Sequence, residues 1–69
     1  MSYAATIVVR RSYRDGKCYA GFATNYPLSN YEHVESFGAW YGSQMSYNPF
    51  GDAWQSASDF ADEKNKAIA

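Results

Sequence analysis

The sequence predicts a small α+β domain: an antiparallel sheet built on an N-terminal β-hairpin and packed against a C-terminal α-helix. Three observations carry that expectation. Residues 3–13 are rich in β-branched and aromatic types. Asp15-Gly16 is the two-residue signature of a type I′ hairpin turn. Toward the other end, the turn cluster Asn48-Pro49-Phe50-Gly51 precedes a stretch whose apolar residues recur at helical spacing.

The first strand is expected over 3–13 and the second from Lys17 to about Thr24, ended by Asn25-Tyr26-Pro27 because proline lacks a ladder donor. With Asp15 and Gly16 as the loop, Arg14 faces Lys17, Tyr13 faces Cys18, Arg11 faces Ala20, Val9 faces Phe22 and Ile7 faces Thr24. The face carrying Ile7, Val9, Cys18 and Phe22 is the more apolar and should cover the core. Arg10, Arg14, Lys17 and Tyr19 then share the outward face with Ser12, Val8, Gly21 and Ala23.

Residues 28–47 carry two periods at once. Ser29-Asn30-Tyr31-Glu32 reads as a capping box, and Tyr31, Val34, Phe37 and Tyr41 keep helical spacing. Phe37, Ala39, Tyr41, Met45 and Tyr47 alternate as a strand does. The expectation is a short middle helix near 30–36 and a third strand within 38–47. A helix over 30–41, ended by Gly42, is the alternative. The C-terminal helix is expected to start at a cap on Asp52, with Gln55 completing the box. Trp54, Ala57, Phe60, Ala61 and Ile68 fall near its inner face, and an Asp62–Lys66 pair supports the outer one. One sheet face is then buried and the other left to solvent.

Sixty-nine residues make one domain, 1–69, whose own core supplies only about 3–5 kcal/mol. Such domains lean on disulfides, a metal or a partner. Cys18 is the single cysteine, so no internal disulfide forms, and one cysteine with one histidine (His33) makes a poor zinc set. A partner remains, either another molecule or a second copy in a homodimer.

The apolar residues are unusual in kind. Six are Ile, Leu or Val, whereas thirteen are aromatic and seven of those are tyrosines. Rings and alanines must therefore fill the core. So many rings cannot all be hidden in so small a chain, and those at the surface suit an interface. The apolar stretch Ala4–Val9 is too short for a signal peptide or a membrane span, and a lone thiol suits a reducing compartment. These features predict a cytoplasmic protein without membrane insertion.

Catalytic chemistry finds no support in the sequence. The five glycines form no phosphate-binding loop, and no metal or cofactor signature is present. Cys18 lies on the inward face, where a thiol is a small apolar group. His33 sits among polar residues, and Glu32 with Glu35 has nothing to desolvate it. The chain reads as a binding protein and not an enzyme.

Charge is unevenly placed. Residues 1–20 carry a balance of +3 and residues 21–69 one of −4, for the overall −1. Arginines beside a tyrosine on the hairpin suit a phosphate, an unstacked base or an acidic protein groove. A charged sheet edge that discourages aggregation is the alternative reading of the same patch.

A protein-binding module is the expectation, with Arg10, Arg14, Lys17, Tyr19, Trp40, Tyr41 and Tyr47 as its contact residues. The hairpin-then-helix outline is similar to that of small antitoxin-like and phage-type proteins. That likeness of build suggests an inhibitor of a bacterial defence system, of the anti-CRISPR kind, acting on a protein complex. An antitoxin-like subunit and a nucleic-acid-binding domain that uses the basic hairpin are the alternatives. A pI near 5.6 weighs against the last.

Overall fold

In the computed structural model, residues 4–41 and 50–68 are described, with side chains over 6–38 and 53–68. Strand β1 (Ala4–Ser12) runs into β2 (Cys18–Phe22), a short 3-10 turn spans Ala23–Asn25, and β3 (Tyr31–Tyr41) precedes helix α1 (Phe50–Ile68). The sheet is antiparallel, in the order β2-β1-β3, and α1 packs against it. The chain is thus an α+β domain with a hairpin, a third strand and a C-terminal helix.

The hairpin register differs from expectation by two residues. Arg11 pairs with Cys18, Val9 with Ala20 and Ile7 with Phe22. Ser12 closes the ladder, donating its N–H to the Lys17 carbonyl at 2.9 Å. The loop is therefore residues 13–16 and not Asp15-Gly16 alone. A type I′ turn needs positive φ at both central residues. Gly16 supplies it at +74°, but no non-glycine residue among those described has a positive φ, so Asp15 does not. Asp15 instead folds its carboxylate back onto the Lys17 N–H at 2.9 Å. Because the shift is an even number of residues, each side chain keeps its expected face.

No middle helix forms over 30–36. Those residues lie in the turn before β3 and in β3 itself, which starts well before the expected 38. Its pairing with β1 slips twice: Ile7 faces Gly38 but Val8 faces Ser36, and Val9 faces Glu35 but Arg10 faces His33. Phe37 and Val34 are the extra residues at these two β-bulges. Both pack against the core. Each bulge stretches the two-residue period of a strand to three, which is why the core positions of β3 mimic helical spacing. Gly38 adopts φ +128° beside the first bulge, with the Ala53 Cβ only 3.4 Å from where its own Cβ would be.

Helix α1 begins at Phe50, so Asp52 lies within its first turn and not at the cap. Ala57 and Ala61 are buried and Ala53 lies against them, a four-residue spacing of small groups that brings the helix close to the sheet. Ile7, Val9 and Cys18 complete this core, walled by Phe22, Val34, Phe37 and Phe60. Trp54 stays 40% exposed, its ring tilted 5.4 Å from Phe22, and Ile68 is 51% exposed. On the outer side Lys66 meets Glu63 at 3.9 Å and not Asp62. Asn65 closes the outer edge of β2. Its amide accepts from the Cys18 N–H at 2.7 Å and donates to the Cys18 carbonyl at 3.0 Å, as a neighbouring strand would.

Candidate functional site

The sheet face away from α1 is built around tyrosines, and it is not simply open to solvent. Val8 is 1% exposed there. On either side of it in the register stand Gly21 of β2 and Ser36 of β3. Tyr26, just past the 3-10 turn, lies on Gly21 so closely that a Cβ there would sit 2.5 Å from the ring. Tyr19 stacks on Tyr26 with centroids 6.2 Å apart. Tyr31 meets Tyr26 and Tyr19 edge-on at 5.1 and 6.3 Å. The Tyr26 hydroxyl also reaches the Ala20 carbonyl at 3.4 Å.

Arg10 fastens this layer. Its Nη1 donates to the Tyr26 carbonyl at 2.7 Å and the Ala23 carbonyl at 3.1 Å, and its Nε to His33 Nδ1 at 3.3 Å. A guanidinium only donates, so Nδ1 is the acceptor in that contact. His33 Nε2 lies 3.2 Å from Ser36 Oγ.

At one end of the sheet, loop 13–16 meets the turn over 27–30. The Tyr13 N–H donates to the Asn30 carbonyl at 3.1 Å, and the Asn30 and Tyr31 N–H groups both reach the Pro27 carbonyl at 3.0 Å. Between them lies a depression of about 430 Å³ lined by Ser12, Tyr13, Arg14, Ser29, Asn30 and Tyr31. Tyr13 (68% exposed) and Leu28 (59%) are displayed at this end. The Arg14 N–H is held by Ser12 Oγ at 3.0 Å, while its guanidinium has no partner among the described residues. Asp15 accepts from the Tyr19 hydroxyl as well as the Lys17 N–H. The Tyr19 bond is the larger cause of an Asp15 pKa below its ordinary value, and the same bond raises that of Tyr19.

The expected contact residues are thus divided. Arg10 and Tyr19 face each other across the hairpin but are engaged within the fold. Arg11 lies 3.5 Å from Glu32. Arg14 lies in the loop and Lys17 directly after it, and both are exposed. The backbones of Trp40 and Tyr41 pair with Ala5 and Ala4, but their side chains lie outside the described residues, as does all of Tyr47. Tyr13, Leu28, Asn30 and Tyr31 join the surface without having been expected there. An apolar leucine directly after Pro27, within a polar turn, was the signal for one of them.

No protein-family model matches the chain, and no curated protein or solved structure matches it. Among the described residues no helix is long and apolar enough to cross a membrane.

Proposed function

We propose that the chain is a non-catalytic module that binds a protein partner through its hairpin tip. One observation supports this above others: the hairpin engages two of its four basic side chains within the fold, and apolar groups are exposed at the end of the sheet where the other two lie. Arg10 holds two carbonyls and His33, and Arg11 sits beside Glu32. Arg14 and Lys17 remain, and Tyr13 and Leu28 are exposed as well. A phosphate backbone rewards a dense row of free cations, whereas a protein interface rewards aromatic and apolar anchors with an arginine among them.

Within that class we read the chain as a small inhibitor of the phage or mobile-element type, directed at a bacterial defence complex. Its support is build: a small α+β fold, a surplus of rings and a buried thiol suited to the reducing cytoplasm, where such a complex works. Pull-down of the tagged chain from bacterial lysate, with and without nuclease, tests this. A stoichiometric protein that survives nuclease and belongs to a defence complex is the expected result. Nucleic acid recovered alone, and lost on nuclease, would replace the reading with a nucleic-acid-binding one.

A further inference from the structure

We infer that the depression between loop 13–16 and the turn over 27–30 takes a carboxylate of the partner protein, with an apolar neighbour of that carboxylate resting against Tyr13 and Leu28. The inference rests on the protein-binding reading above and names the chemistry of the partner. Arg14 is the one guanidinium lining this hollow, and it has no partner among the described residues. Its backbone is fixed by Ser12 Oγ and the loop by the Tyr13–Asn30 bond, so the cation is carried on an ordered frame. The other residues lining the hollow include Tyr13, Tyr31, Ser29 and Asn30, whose hydroxyl and amide groups are of the kind a carboxylate accepts from.

The charge at this tip selects among anions. Arg14 and Lys17 are opposed by Asp15, whose carboxylate is held between the Tyr19 hydroxyl and the Lys17 N–H. The net single positive charge matches one carboxylate. It offers little to a polyphosphate chain, whose binding strengthens with every phosphate neutralised. Exposed Tyr13 and Leu28 likewise suit an acidic residue set among apolar ones.

The test probes the full chain with an array of short peptides, acidic, neutral and basic, each with and without Leu or Phe beside the charge. A short oligothymidylate serves as the competing probe. Acidic-apolar peptides should bind best, and Arg14→Ala should weaken them about tenfold or more, as loss of a charge-assisted hydrogen bond requires. Amide chemical-shift changes should centre on residues 12–14 and 29–31 and spare α1. Arg14 is an exposed loop residue, so the variant keeps its fold, and its unbound spectrum reports that directly. Equal binding of neutral apolar peptides, or indifference to Arg14→Ala, overturns the carboxylate inference and leaves the protein-binding reading standing. Preference for oligothymidylate overturns both. Self-association abolished by Arg14→Glu would instead assign the hollow to a second copy, whose exposed Asp59, Asp62 and Glu63 are acidic, and would overturn the inference as stated.

Discussion

Toward α1, the central strand β1 presents Ile7 and Val9 to Ala57, Ala61 and the ring wall, and both aliphatic side chains are fully buried. Toward the opposite face, Val8 is equally covered, yet that face carries a glycine, a histidine–serine pair and three tyrosines, one of them fastened by an arginine. One face closes by apolar burial between a sheet and a helix with small residues on its inner stripe. The other closes by ring stacking and hydrogen bonds onto a position with no side chain. A chain with six aliphatic residues lacks the material to build a second oily layer. The polar layer substitutes for it and leaves its far end, the hairpin tip, available for contact.

The sharpest test of this contrast is Ile7→Ala, which removes a large group from the helix face with no water to fill the space. A loss of about 2–5 kcal/mol is expected, comparable to the whole stability of so small a domain. Urea titration followed by circular dichroism should show a largely unfolded variant. Arg10→Ala probes the other face. It deprives the Ala23 and Tyr26 carbonyls and His33 Nδ1 of a shared donor, at a cost of about 1–3 kcal/mol. If Arg10→Ala matched Ile7→Ala, the polar layer would be as important to folding as the core, and the contrast drawn here would fail.

A smaller effect is expected from Gly21→Ala. The far edge of the Tyr26 ring must swing off β2, and that ring can move into solvent, so about 1 kcal/mol is expected, near the low end for overpacking. Ring-proton shifts of Tyr19, Tyr26 and Tyr31 should change together while those of Phe37 and Phe60 hold, since only the latter pair belongs to the helix side.

The mildest prediction concerns acid. Asp15 has a lowered pKa in the fold, so the support it gives is complete above its ordinary value of 3.8 and is lost as pH falls through the lower folded value. Below pH 3.8 the Lys17 amide should lose protection from exchange before the amides of α1 do. In Asp15→Asn that acid transition of the loop should vanish. A loop that loosened at the same pH as α1 would show that tip and core unfold as one unit.

Period and composition determined much of this protein in advance. A β-branched run, a glycine turn and a proline stop mark the hairpin, and parity assigned Ile7, Val9, Cys18 and Phe22 to one face for any loop with an even number of residues. A turn cluster and apolar residues at helical spacing marked the helix, whereas the rings expected to fill the core only wall it: among the described residues the largest fully buried side chains are Ile7, Val8 and Val9. Three matters were left to tertiary structure. Loop length turned on the backbone at Asp15, where a side chain makes positive φ costly and a carboxylate offers a cheaper turn. The state of residues 30–41 turned on two bulges, because a strand that gains a residue per step imitates a helix in sequence and only pairing with β1 tells them apart. The roles of Arg10 and Arg14 turned on what folds over each. Identical in sequence terms, one is enclosed by carbonyls that arrive from residues 23 and 26, and the other is left facing outward at the tip.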